Sequence, residues 1–129
     1  MSTTTKRMAM SLLAGLLLVG AGIAQIKTKR GCVVLFGSTA NCSQPSTLNY
    51  RKVQGATPEW KTIKSDGVKK GSARYALLIS EMNSRIKTAC ATVAQTESRD
   101  CVVRQGDISN AGGLTVTDLT SDVIAELGR

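Results

Sequence analysis

The chain of 129 residues contains no histidine, and this absence bears most directly on catalysis. Histidine is the side chain whose ordinary pKa suits proton transfer near neutral pH, and it also activates cysteine nucleophiles. The sequence contains neither a Gly-x-Ser-x-Gly elbow nor a phosphate-binding P-loop. We therefore expect that the protein is not an enzyme and that it uses no cofactor.

Aromatic residues are nearly absent as well, since the chain has one Trp, one Phe and two Tyr. Proteins that bind nucleic acid generally combine a basic patch with aromatic rings that stack on bases, whereas the basic residues here are scattered along the chain. We expect no nucleic-acid binding. With so few rings, the core must be aliphatic, and a domain of this size buries a smaller core than most.

The first 24 residues have the pattern of a secretory signal peptide. Lys6 and Arg7 precede an apolar run that extends from Met8 to Ala24 and ends in small residues. We expect cleavage after Ala24 and a periplasmic or secreted product. The alternative is an uncleaved anchor, because the run is close to the lower limit of about 17 residues for crossing a bilayer.

The exported part remains basic. Removing residues 1–24 takes away two of the seventeen Lys and Arg and none of the nine acidic residues, which leaves 15 − 9 = +6. This charge favours acidic protein segments or anionic lipid surfaces as partners.

Four cysteines in an exported chain predict two disulfides. The spacing favours neighbours, Cys32 with Cys42 and Cys90 with Cys101, although three connectivities are possible. A zinc site is the competing interpretation, but the chain has no histidine and no Cys-x-x-Cys pair to supply ligands. We therefore expect no metal.

The longest amphipathic stretch, residues 73–94, predicts an α-helix. Its apolar residues recur at steps of four and three and so lie on one stripe. The stripe consists of Tyr75, Ile79, Met82, Ile86, Ala89 and Val93. Such a helix either packs in the core of its own chain or forms a coiled-coil seam with a partner. Glu81 and Arg85 are four residues apart on the outer face, where we expect an ion pair.

The remaining segments complete an α+β prediction, a short helical hairpin attached to a small β body. Thr57, Pro58 and Glu59 together are a helix-start signal for a helix that ends near residue 65. Strands are expected in residues 31–36, at the start of 47–53, and in 101–104. A terminal helix is expected in 118–127, with Thr120 as its cap.

Two units follow the signal peptide in this prediction. Residues 25–46 form an N-terminal leader that carries Cys32 and Cys42, and residues 47–129 form the main domain. The segment 31–46 is rich in turn formers after its apolar start. It could contribute a strand or form an appendage outside the main fold.

A candidate partner surface lies on the first helices and the hairpin turn. It consists of Arg51, Lys52, Lys61, Lys64, Lys69 and Lys70. These residues could bind an acidic partner, or they could form a solvated face that keeps the protein soluble.

Three segments in this order resemble the OmpH/Skp family of periplasmic chaperones. Residues 48–61 are similar to that family's first strand and helix, and residues 85–103 to the return of its second helix into a strand. Residues 118–124 resemble the Asp-(Ile/Leu)-Thr-x-x-Val segment that begins its last helix. Together these segments cover roughly residues 47–127.

The resemblance implies a homo-oligomer, a trimer with a shared β body and projecting helical hairpins that enclose unfolded outer-membrane proteins. Only about twenty residues separate Lys61 from Glu81, so the hairpin is too short for a deep cavity. We expect an exported chaperone-like protein that binds unfolded outer-membrane or envelope proteins. The alternative is a non-catalytic structural or assembly domain of the cell envelope without holdase activity.

Overall fold

The computed structural model describes residues 25–129, so the predicted signal peptide, residues 1–24, lies outside the described residues. The described chain mixes helices with small sheets, which agrees with the α+β prediction. In chain order its elements are β1 (Lys27–Thr28), β2 (Val34–Gly37), a 3-10 turn (Thr39–Asn41), β3 (Pro45–Leu48), α1 (Tyr50–Gly55), α2 (Pro58–Ser65), α3 (Ala73–Thr96), β4 (Cys101–Arg104), β5 (Ile108–Asn110), β6 (Thr117–Asp118) and α4 (Thr120–Leu127).

The main sheet has four strands in the order β2-β4-β3-β6. Strand β4 is antiparallel to β2 and parallel to β3, which in turn is parallel to β6. The three helices between β3 and β4 form the crossover that a parallel pair requires. Residues Cys101, Val102 and Val103 of β4 are fully buried, as expected for an inner strand covered on both faces. Strands β1 and β5 form a separate antiparallel ribbon.

The N-terminal segment contributes a strand to this sheet. Strand β2 pairs with β4, and Leu35 is buried in the main core. Strand β3 begins at Pro45, inside the segment that the sequence assigned to the leader. The segment 31–46 therefore contributes to the sheet and is not an appendage, since β2 and the first two residues of β3 both pair with β4.

Each helix of the crossover begins at a polar cap. Asn49 accepts a hydrogen bond from the Lys52 N–H at the start of α1, and Ser72 does the same for the Tyr75 N–H at the start of α3. The predicted cap Thr57 is confirmed, because its hydroxyl accepts from the Trp60 N–H at 3.2 Å. These side chains satisfy backbone donors that have no partner within the helix.

The predicted cap of the terminal helix is wrong. Thr120 is the first residue of α4, and the capping position is occupied by Leu119 without a side-chain hydrogen bond. The Thr120 hydroxyl instead accepts from the Asn49 N–H at 2.9 Å, while the Asp118 carboxylate accepts from the Thr120 N–H at 2.9 Å. Thr120 therefore connects α4 to the junction between β3 and α1.

Most of the predicted apolar stripe of α3 is buried within one chain. Met82, Ile86, Ala89 and Val93 are at most 7% exposed, and they belong to a core that also includes Val123 of α4. The first two residues of the stripe, Tyr75 and Ile79, are only partly buried. Ile79 still packs against the edge of this core. Helix α3 is thus a core helix from Ile79 onward, while its first turn extends beyond the core.

Candidate functional site

The hairpin of α2 and α3 is closed by a short turn. Arg74 Nη2, in the first turn of α3, lies 2.8 Å from Asp66 Oδ2 at the end of α2. The Val68 N–H donates to the Ile63 carbonyl at 3.0 Å, which satisfies one of the last acceptors of α2. Gly67 adopts a positive φ of 60°, a conformation that side chains with a Cβ rarely take. The turn thus has a defined conformation that places its lysines at the end of the hairpin.

A salt bridge joins the two arms of the hairpin, and it replaces the predicted pair of Glu81 with Arg85. Arg85 Nε donates to both carboxylate oxygens of Glu59, at 2.8 and 3.1 Å. The Glu59 side chain is only 7% exposed, so its charge requires a partner, whereas Glu81 is exposed to water. This requirement explains why Arg85 turns toward α2. Sequence spacing could not reveal it because the two residues are 26 positions apart.

All six residues of the predicted basic surface are exposed. Within residues 25–129, none of them takes part in an ion pair. The structure divides them into two groups. Arg51 lines a shallow pocket with Arg104 and Gln105 at the end of the sheet. Lys52 is near Asp118, whose pKa is lowered mainly by hydrogen bonds from Thr120 and to a lesser degree by this lysine.

The other four basic residues belong to α2 and the hairpin turn. They are Lys61, Lys64, Lys69 and Lys70, and we call them the hairpin lysines. Lys64 Nζ lies 4.9 Å from the centre of the Trp60 ring, a cation–π contact in which the lysine stem also shields the indole. The positive charge of the hairpin lysines is thus available to an external anion.

Three apolar side chains that the core does not fully cover lie on the first turns of α3, which follow the hairpin turn in sequence. Leu77 is 59% exposed, the most exposed of the large apolar residues described. Tyr75 and Ile79 line an open groove of about 580 Å³ along α3. Leu77 is two residues from each of them and so lies on another side of the helix. We call these three residues, Tyr75, Leu77 and Ile79, the apolar tip. Sequence periodicity did not indicate Leu77, because it lies off the apolar stripe.

A second open groove of about 640 Å³ lies between α3 and the end of α4. It is lined by Glu81 and Arg85 of α3 and by Leu127 and Arg129 at the C-terminus. Ser80 and Ser84 line both grooves, so the surface is continuous around the N-terminal half of α3. A binding segment could therefore extend from the apolar tip toward α4.

The predicted pairing of neighbouring cysteines is wrong. Cys42 is bonded to Cys101, with a Cα–Cα distance of 5.7 Å, and Cys32 and Cys90 are free. The reason is the sheet, because Pro45 of β3 is in register with Cys101 of β4 and so brings the preceding loop next to it. Cys90 is enclosed in the main core, where burial raises the pKa of its thiol to about 11.

Asp100 holds the loop beside this disulfide. Its carboxylate accepts from the Ser43 N–H at 2.9 Å, the Ser43 hydroxyl at 2.8 Å and the Gln44 N–H at 2.7 Å. Desolvation opposes ionisation, but these hydrogen bonds prevail and lower the pKa of Asp100. Together with Cys42 and Cys101 it places three potential metal ligands within 4.8 Å. Both sulfurs are bonded to each other, so neither is a thiolate that could bind zinc.

Asp107 holds the start of β2 in place. Its Oδ2 accepts from the Val33 N–H at 2.8 Å, and its Oδ1 lies 3.2 Å from Arg104 Nη2. The hydrogen bond from Val33, followed by the contact with Arg104, lowers the pKa of the Asp107 carboxyl. Its backbone oxygen also accepts from the Lys29 N–H at 2.7 Å. One residue thus holds both ends of the segment between β1 and β2.

None of the helices in residues 25–129 combines the length and the apolar character that a membrane span requires. Comparison of the chain with protein-family models, with curated proteins and with solved structures finds no match.

Proposed function

We propose that this protein is an exported, non-enzymatic chaperone-like protein that binds unfolded outer-membrane or envelope proteins, as a short-armed member of the OmpH/Skp family. The parallel pair β3 and β4, with the hairpin of α2 and α3 between them in sequence, supports this proposal. The start of α4 at Thr120 also agrees with the segment that carries the resemblance.

The observation that carries the proposal is the combination of the apolar tip with the hairpin lysines. Unfolded envelope proteins expose apolar stretches and acidic residues together, and a binder needs both kinds of contact. Leu77 supplies apolar area that is already accessible, and the partly buried Tyr75 and Ile79 line an open groove. The hairpin lysines attract acidic segments, and because they are exposed their effect weakens as salt increases.

The size of the hairpin determines how such binding works. The eight residues of α2 rise about 12 Å at 1.5 Å per residue. A hairpin of that height cannot enclose a folded domain, so we propose that the protein coats exposed segments and does not cage a whole client. A homo-oligomer, the trimer that the resemblance implies, would present several hairpins to one chain and increase its avidity.

Suppression of aggregation tests this function. An outer-membrane β-barrel protein unfolded in urea is diluted into buffer with a several-fold excess of the exported, oxidised protein, and light scattering is followed. We expect reduced scattering. The charge-reversed variant with Lys64→Glu, Lys69→Glu and Lys70→Glu should lose most of this effect while it remains folded.

The matched control reverses the same number of charges elsewhere, at Lys27, Lys29 and Arg30 on the exposed N-terminal segment. It should retain most of the effect, because the net charge changes equally but the hairpin lysines remain. No suppression by the unmodified protein would refute the chaperone function. Equal loss in both variants would show that only net charge matters.

A second function, a structural or assembly domain of the cell envelope without holdase activity, has one observation in its favour. Four residues of the α3 stripe are already buried within one chain, so little apolar surface of this helix remains to line a client cavity. This function predicts a stable oligomer and a lasting complex with one envelope partner. Light scattering of the exported, oxidised protein measures the mass of this oligomer. Binding to anionic vesicles tests whether a lipid surface is the partner.

A further inference from the structure

Strand β2 forms one edge of the main sheet, and its outer side pairs with nothing in residues 25–129. The Val33 carbonyl accepts from the Arg104 N–H at 2.9 Å, and the Val33 N–H donates to Asp107. Both polar groups of Val33 therefore face the β4 side. Since neighbouring residues of a strand alternate in direction, the N–H and the carbonyl of Val34 face the open edge.

This edge is short and contains one irregularity, but it carries neither a charged residue nor a proline. Proteins protect edge strands with charged residues or proline, but residues 33–36 are Val, Val, Leu and Phe. Val33 is 37% exposed and Val34 is 39% exposed. A register shift between Val34 and Phe36 bends the strand at Leu35, yet the backbone groups of Val34 precede this bend. The edge can accept another strand.

A groove beside the edge indicates what kind of strand fits. It has a volume of about 240 Å³ and lies between β2 and α3, lined by Val34, Tyr50, Ile86 and Lys87 among others. Every second side chain of an added strand would face this groove. Lys87 is exposed and forms no ion pair within residues 25–129. Apolar walls with one cation fit an apolar strand that carries an acidic residue.

Charge also discriminates between possible occupants. A second copy of this chain paired at the same edge would bring another Lys87 to this groove, and the like charges oppose pairing there. An extended segment with alternating apolar residues and an acidic group has complementary charge. Such alternation is characteristic of the strands of outer-membrane barrels before they insert.

We propose that β2 binds an extended, acidic and alternately apolar client segment by strand addition at Val34. This inference rests on the proposed function and specifies how the client is held: the added strand pairs with the Val34 N–H and carbonyl, and alternate side chains enter the groove beside Lys87. The apolar tip and the hairpin lysines then contact other parts of the same client.

The experiment uses a peptide of about nine residues, the length of a membrane-crossing strand, in which valine and threonine alternate and one residue is glutamate. Hydrogen exchange of the Val34 amide is measured with and without the peptide, and affinity is measured by fluorescence anisotropy. We expect slower exchange at Val34 with peptide bound. Val34→Pro, which removes the outward donor, should weaken binding about tenfold, equivalent to about 1.4 kcal/mol.

Val34→Ala is the comparison variant, because it keeps the backbone donor and shortens only a side chain that lines the groove. It should weaken binding less than Val34→Pro does, and an equal loss in the two variants would overturn pairing through the backbone. Should Val34→Pro fail to fold, N-methylated peptides provide the second test. Methyl groups on the amides along one edge of the peptide should abolish binding, and those along the other edge should not, so the effect alternates along the peptide.

An unchanged Val34 amide with bound peptide, or equal effects of methylation on both edges, overturns the proposal. Slow exchange of the Val34 amide in a dimer without peptide also overturns the proposal, because the strand added at this edge is then a second copy of the chain. The peptide assay is independent of aggregation suppression. Loss of holdase activity with retained peptide binding refutes the proposed function alone, whereas retained holdase activity without Val34 protection refutes strand addition alone.

Discussion

Removing the Cys42–Cys101 disulfide measures how strongly the N-terminal segment is tied to the sheet. We consider the double variant Cys42→Ala with Cys101→Ala, which removes the bond and leaves the rest of the sheet unchanged. The two cysteines are 59 positions apart, so the bond restricts a large loop in the unfolded chain. Both residues are buried, and Asp100 fixes the loop next to Cys42 in the folded state.

The magnitude follows from the length of that loop. Closing a loop of this length in the unfolded chain corresponds to about 4 kcal/mol in the chain-entropy model, compared with about 3 kcal/mol for a loop of about ten residues. Neighbouring cysteines, Cys32 with Cys42 or Cys90 with Cys101, would close only the shorter loops. We therefore expect the free energy of unfolding to fall by about 4 kcal/mol, a large part of the roughly 5–15 kcal/mol typical of a domain.

Urea unfolding followed by circular dichroism measures this change, and a non-reducing peptide digest identifies the bond. Cys32→Ser is the control, because this cysteine is free and only partly buried, and it should change stability by less than about 0.5 kcal/mol. A decrease below about 1 kcal/mol in the double variant would contradict the loop-closure reasoning. A digest that joined Cys32 to Cys42 would contradict the strand register.

Three further predictions concern the hairpin, the core and acid stability. Arg85→Met leaves the buried Glu59 carboxylate unpaired and should lower the free energy of unfolding clearly more than Glu81→Ala does. Equal effects of the two variants in urea unfolding would argue against the inter-helix salt bridge. Ile86→Ala should lower the free energy of unfolding by about 3 kcal/mol because it leaves a cavity in the core, whereas Leu77→Ala should lower it by less than about 0.5 kcal/mol. A larger decrease for Leu77→Ala than for Ile86→Ala would contradict the assignment of Ile86 to the core. The pKa of Asp107 is depressed in the folded state, so the ionised carboxylate stabilises the fold above its ordinary pKa of about 3.9, and this stabilisation is lost as pH falls through the folded-state pKa. Asp107→Asn should therefore flatten the pH dependence of the free energy of unfolding below about 5. An unchanged pH profile would show that Asp107 does not contribute to acid stability.

The sequence predicted the elements whose signals are local. The cap at Thr57 with Pro58 after it, the buried strand 101–104, and the long helix from residue 73 each depend on residues within a few positions of one another. The structure agrees on all three. Local signals also placed the basic residues on α1, α2 and the turn, because caps and glycines near in sequence mark where short helices and turns begin and end.

Features that depend on chain segments far apart could not be predicted this way. The partner of Arg85 is Glu59 because burial leaves that carboxylate without water, and burial is a property of the packed hairpin. The partner of Cys42 is Cys101 because β3 and β4 lie in register. The incomplete burial of Tyr75 depends on where the core ends along α3, and amphipathic periodicity continues past that point.

The proposed function is tested most directly by measuring whether an unfolded client binds to the hairpin. Fluorescence anisotropy of a labelled outer-membrane β-barrel protein in its unfolded form is followed as the oxidised protein is added, at low and at high salt. We predict saturable binding that weakens with salt, with Leu77→Ser, and with reversal of Lys64, Lys69 and Lys70. Absence of binding, or binding that neither salt nor these substitutions change, would contradict the account.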